Sequence, residues 1–135
     1  MTELKVKEIA NRAVLGITVS RRPHMRYGIK IHPYVEIKGT YDDLQVLQSE
    51  LLRYSVGCTL RPTFLRIQGI QSCSIMTQFL DKDKHSWWFE CLELFIQGRH
   101  LTRKGILAIL KKRPEVKNQE LRVAEQDIMD VLMSA

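Results

Sequence analysis

Gly28-Ile29-Lys30-Ile31-His32-Pro33-Tyr34-Val35-Glu36-Ile37-Lys38 alternates along its length. Ile29, Ile31, Val35 and Ile37 fall on one face, and Lys30, His32, Tyr34, Glu36 and Lys38 on the other. This period of two predicts a strand with one face packed and one in water. An apolar back with a basic, aromatic, hydrogen-bonding front suits a sheet laid into a nucleic-acid groove, and it equally describes an ordinary half-exposed sheet. The charge around it narrows the choice. The 27 residues between Glu8 and Glu36 hold no carboxylate, and Arg12, Arg21, Arg22, Arg26, Lys30 and Lys38 are opposed over the same region by Glu36 alone.

Working outward, a first helix is predicted from near Thr2 to about Val14, then a strand over Leu15–Arg22 and a turn at Pro23-His24-Met25-Arg26. The long strand covers Tyr27–Lys38. Thr40 with Asp43 three residues on predicts a capped helix, whose Leu44, Leu47 and Leu51 form a core stripe. Gly57 is the expected helix stop. Cys58–Arg61 and Phe64–Gly69 make a second hairpin around Pro62-Thr63. A short helix follows over Ser72–Leu80, with Ile75 and Phe79 on one side. Asp81–His85 reads as a solvated loop, and a helix capped by Ser86 runs from Trp87 to about Gln97. Thr102 caps another helix ending before Pro114, with Leu101 and Ile106 spaced for a hydrophobic staple. An amphipathic helix is predicted over 119–133. No linker or internal repeat divides the chain, so 1–135 reads as one α+β domain.

Composition bounds the partners. Residues 1–114 hold 19 Lys/Arg against 10 Asp/Glu, whereas 115–135 hold two against five, so the body is more basic than the overall +6. Such a field favours polyanions without choosing among DNA, RNA and anionic membrane. No apolar run approaches the roughly 20 residues of a membrane span. The polar start, Thr2-Glu3-Leu4-Lys5, lacks a signal-type apolar stretch, which sets the expectation of a cytoplasmic or organellar, nucleoid-associated protein. Cys58, Cys73 and Cys91 are too widely spaced for a metal site and read as buried thiols. The four histidines have no helical ligand spacing, so neither metal nor cofactor is expected. Trp87-Trp88 at a helix start suits core anchoring better than base stacking.

Phe95-Ile96-Gln97-Gly98-Arg99-His100-Leu101-Thr102-Arg103-Lys104-Gly105-Ile106-Leu107-Ala108-Ile109-Leu110 resembles the closing motif of LAGLIDADG homing endonucleases. Leu65–Ile70, with the helix holding Ile75-Met76 and Phe79-Leu80, is similar to the family's fourth strand and following helix. The resemblance covers about 8–113 and implies an αββαββα saddle with an antiparallel sheet. The stretch matching the family's name motif is Glu8-Ile9-Ala10-Asn11-Arg12-Ala13-Val14-Leu15-Gly16. Its metal-binding acid is missing, because Leu15 (or Val14, one register earlier) stands there. Two-metal hydrolysis needs carboxylates at the helix ends. Lys104, which matches a basic residue near the family's cleavage centre, is then left without a metal-bound water to assist.

The reading that follows is a non-enzyme: a non-cleaving, sequence-specific duplex-DNA-binding homodimer acting as a transcription regulator. Thr18, Ser20 and Arg22, then Lys30, His32, Tyr34 and Lys38, then Thr59, Arg61, Arg66 and Gln68 are its expected DNA face. Arg21 and Arg26 flank the hairpin turn as phosphate contacts, and Lys104 completes the DNA-binding set. Arg suits guanine, Gln adenine, and Lys and Thr phosphate or mixed contacts. Ile9, Ala10, Ala13 and Val14 form the expected dimer interface, where the family packs small residues across an axis. The alternatives are an active homing endonuclease whose acid comes from elsewhere, such as Glu8 about two helical turns too early, an RNA-binding splicing or maturation factor, and a protein-interaction module.

Overall fold

The structure, a computed structural model, describes residues 2–114, so the helix predicted over 119–133 lies outside the described residues. In chain order the elements are α1 (Glu3–Ala10), β1 (Val14–Arg21), β2 (Ile29–Lys38), α2 (Tyr41–Leu52), β3 (Thr59–Leu60), β4 (Phe64–Gln68), α3 (Ile70–Met76), α4 (Ser86–Ile96) and α5 (Arg103–Lys112). Short 3-10 turns at Thr77–Phe79 and Arg99–Leu101 join the last three helices. The four strands form one antiparallel sheet in the order β1-β2-β4-β3. This is the predicted α+β arrangement, αββαββα followed by further helices.

The helices cover one face only. Ile17, Ile29, Ile31, Val35, Ile37, Leu65 and Ile67 are buried from the sheet side, against Val6, Leu44, Leu47, Leu51, Met76, Phe79, Trp88, Leu92, Phe95 and Ile109 from the helices. The alternation read in β2 therefore holds residue by residue, and the opposite sheet face is left to solvent. Pro33 fits this inner strand for a topological reason. Arg22 N–H donates to Gly28 O, which aims the even-numbered β2 positions at β1. Pro33 thus faces the other edge, where β4 has ended at Gln68 and only Gly69 N–H reaches its carbonyl. The donor that proline lacks is not needed there.

Several local expectations are corrected. α1 ends at Ala10, and the chain turns through Asn11 and Arg12 to enter β1 one residue early, at Val14. β2 starts at Ile29, with Tyr27 and Gly28 in the turn. The left-handed residue after α2 is Ser55, φ 65°, rather than Gly57. Val56 N–H returns to Leu51 O and Ser55 N–H to Leu52 O, and these bonds close the helix before Gly57 is reached. Ser86 is the first residue of α4, not its cap. Leu101 is 62% exposed and does not staple onto buried Ile106. Thr40 and Thr102 do cap α2 and α5, accepting from Asp43 N–H and Gly105 N–H. Asp81–His85 is tied down: Asn11 Oδ1 accepts from Asp81 N–H, and Lys84 Nζ donates to Asn11 O.

Candidate nucleic-acid interface

Strand register decides which side chains share the uncovered face. Ser20 stands opposite Lys30, Thr18 opposite His32, and Gly16 opposite Tyr34, which is itself opposite Gln68. The next row runs Val14–Glu36–Arg66–Thr59, and Lys38 stands opposite Phe64. Thr18, Ser20, Lys30, His32, Tyr34, Lys38, Thr59, Arg66 and Gln68 therefore lie on one surface, as the alternation predicts. Arg61 follows β3, its N–H donating to Phe64 O.

The remaining predicted contacts are placed differently. Arg21 pairs with Ile29, which sets it on the apolar-face side at the end of β1. Arg22 Nη1 curls back to Arg21 O, 2.8 Å away. Arg26 lies in the turn with its guanidinium 5.3 Å from the centre of the Tyr27 ring. Lys104 is exposed in the first turn of α5 and belongs to no strand. Of the expected dimer residues, Ala10 and Ala13 are buried in their own chain, Ile9 is half-buried, and Val14 is 50% exposed. Ala10 packs inward beside Val6 on the buried side of α1, and Ala13 is buried in the link that leads into β1.

At the centre of the face the side chains are braced against one another. Arg66 crosses diagonally from β4, its guanidinium carbon 4.2 Å from the centre of the Tyr34 ring. Its Nη2 donates to Thr18 Oγ1 on β1 at 3.1 Å. The Tyr34 ring in turn occupies the space that any side chain on Gly16 would need. From behind the sheet, the buried Trp88 Nε1 donates to Gly16 O at 3.1 Å. Trp88 is thus a core anchor, as read. The neighbouring His32 holds its proton more weakly than a free imidazole, chiefly because it is partly buried and then because Lys30 and Arg66 lie close. A hydrogen bond with Gln68 opposes that shift.

Sequence reasoning missed this brace, since alternation gives a face and not the direction of a long side chain. It also undervalued Glu36. Among the described residues Glu36 is the one carboxylate on the four strands, and the register sets it opposite Val14, two residues before the name-motif stretch ends at Gly16. For a divalent ion the donor set is poor. Val14 and Leu15 offer no ligand atom, and no three His, Cys, Asp or Glu side chains gather among the described residues. The described residues of one chain do not fit a metal ion. The three cysteines are free thiols; Cys73 and Cys91 are buried as expected, whereas Cys58 is only half-buried.

No family model and no curated protein matches the sequence. Solved structures do. The homing endonuclease I-TnaI superposes with a TM-score of 0.73 at 20% identity, covering 95% of this chain and 98% of that one. The LAGLIDADG meganuclease I-CpaMI, bound to uncleaved DNA, gives 0.71 at 12% identity, over 96% of this chain and 49% of the other. The archaeal intron-encoded homing endonuclease I-Vdi141I, complexed with DNA, gives 0.71 at 11% identity, over 98% and 94%. The fold is that of the LAGLIDADG homing endonucleases, and this chain spans the length of one such unit and about half the length of I-CpaMI.

These neighbours correct the expectation that the protein is not an enzyme. Each of them is described as an endonuclease, so the fold gives no ground for that expectation. That expectation rests on the missing acid at Leu15 or Val14, and both residues lie in β1, beyond the end of α1 at Ala10.

Proposed function

We propose that this protein is a site-specific double-stranded-DNA endonuclease of the homing type, using the uncovered sheet face as its DNA-reading surface. The observation that carries this reading is the face itself. Lys30, Lys38 and Arg66 stand among Thr, Ser, Gln and Tyr on one face of an antiparallel sheet whose other face packs against the helices, on a fold shared with endonucleases solved with DNA. Such a face offers phosphate-directed cations and donors and acceptors matched to base edges in the major groove. Glu36, at the end of the face nearest the name-motif stretch, is the carboxylate positioned to take the proton of an attacking water. The non-cleaving regulatory role expected from the sequence gives way to this reading.

The test has two stages. Duplexes bound from a random library are identified first, and a plasmid carrying the selected site is then incubated with the protein and magnesium. Cleavage confined to that site is expected. An intact plasmid at every protein excess, from a protein that binds the site, would refute the nuclease assignment. Preference for structured RNA over the selected duplex would refute the DNA assignment.

A further inference from the structure

We infer that Arg66 sets base specificity by reading a guanine, and that Tyr34, Thr18 and Gly16 are the positioning residues that aim it. The inference rests on the DNA-reading role proposed for this face. Of the cations on the face, Arg66 is held from two sides before any ligand arrives: the Tyr34 ring lies under its guanidinium and Thr18 Oγ1 accepts from Nη2. Lys30 and Lys38 are exposed and have no comparable brace. Glu36 on β2 and Thr59 on β3 are the register neighbours of Arg66, yet the guanidinium reaches away from Thr59 and past β2 to Thr18 on β1.

The brace continues through the sheet. Tyr34 can lie flat only because residue 16 has no side chain, and the Gly16 backbone is pinned from the core by Trp88. A planar fork fixed in this way loses little conformational freedom on contact, and its unused N–H groups match guanine O6 and N7 in the major groove. Arg66 Nε is buried without a partner, so the contact falls to the Nη groups at the end of the fork. A lysine in the same place would keep the charge and lose the fork.

The experiment compares wild type, Arg66→Lys and Thr18→Val by selection from a random duplex library. Titrations follow on the selected site with 7-deazaguanine replacing one guanine at a time. Wild type is expected to select one guanine per bound half-site for which the modified base, lacking N7, weakens binding about tenfold, the order a bidentate contact supplies. Arg66→Lys should lose preference at that position while keeping its affinity for unrelated duplexes and its salt dependence. Thr18→Val should blunt the same preference.

If Arg66→Lys selects the same guanine, or every modified guanine is tolerated, the inference is overturned while the DNA-reading role stands. If wild type binds no duplex, both fall. The modified-base titrations leave the protein unaltered, so their outcome does not depend on how well a variant folds.

Discussion

Glu36→Gln keeps the shape of the side chain and removes its charge, so it separates binding from cleavage at the scale of one residue. With Glu36 accepting the water proton, the variant should hold the selected duplex about as tightly as wild type and cleave it more slowly by roughly two to four orders of magnitude. Single-turnover cleavage beside equilibrium binding measures both, and unchanged cleavage would remove Glu36 from the chemistry. A second residue-scale consequence concerns pH. His32, His85 and His100 all have pKa values lowered from 6.5, with burial the first cause in each. A folded pKa below the unfolded one means that the unfolded chain takes up protons more readily as pH drops through 6.5. The stability these residues contribute is therefore present above pH 6.5 and lost below it. Urea melts at pH 7.5 and pH 5.5 should show the lower midpoint at 5.5, and equal midpoints would contradict these shifts.

At the scale of elements, what was legible in the sequence was what depends on near neighbours. The β2 and β4 faces followed from alternation, the starts of α2 and α5 from Thr40 and Thr102, and the α2 core stripe from Leu44, Leu47 and Leu51. What escaped depends on distant partners. Ser55 ends α2 in a left-handed turn that glycine would ordinarily supply, and nothing in a serine announces it. The reach of Arg66 across two strands depends on Gly16 and Trp88, residues far away in the chain. Asn11 is the clearest case, because it looks like an ordinary polar residue inside a degenerate motif. Its Nδ2 donates to Lys7 O and to Phe79 O, and its Oδ1 accepts from Asp81 N–H, so one side chain ends α1 and fastens it to the loop before α4. Asn11→Ala should cost on the order of 1–3 kcal/mol, since partners lose their bonds in a partly buried place. Hydrogen exchange at Asp81 N–H, now bound to Asn11, should rise well above the global unfolding rate. Exchange that stays at the wild-type rate would mean that the clamp does not hold the loop.

For the whole molecule the open matter is how one unit covers a full DNA site. I-CpaMI is about twice as long as this chain, whereas I-TnaI is matched over nearly all of its length, so the fold occurs both as nearly a whole chain and as about half of a longer one. We propose that two copies of this protein pair, each reading half of a site. Of the expected interface residues, Ile9 and Val14 rather than the two alanines keep surface that a second copy can reach. Ala10 and Ala13 are enclosed by their own core, whereas Leu4 is 77% exposed, Ile9 is half-buried, and Val46 of α2 lies beside Ile9 in the same cleft. Ile9 and Val46 share that cleft with Lys5, Arg12, Lys38 and Asp43, so the outward surface between α1 and α2 is a mixed apolar and charged strip. Ile9→Glu places a charge on that strip, while Leu101→Glu alters an exposed leucine elsewhere and serves as the control. Sedimentation should give wild type and Leu101→Glu twice the 15.8 kDa of the chain, and Ile9→Glu the mass of one copy. The monomer should bind the selected full site more weakly by roughly two to four orders of magnitude, because the second half-site no longer benefits from tethering. Its affinity for a single half-site should be unchanged, which distinguishes lost pairing from a damaged sheet. A dimeric Ile9→Glu would place the contact on another surface, and a monomeric wild type that covers a full site alone would end the pairing proposal.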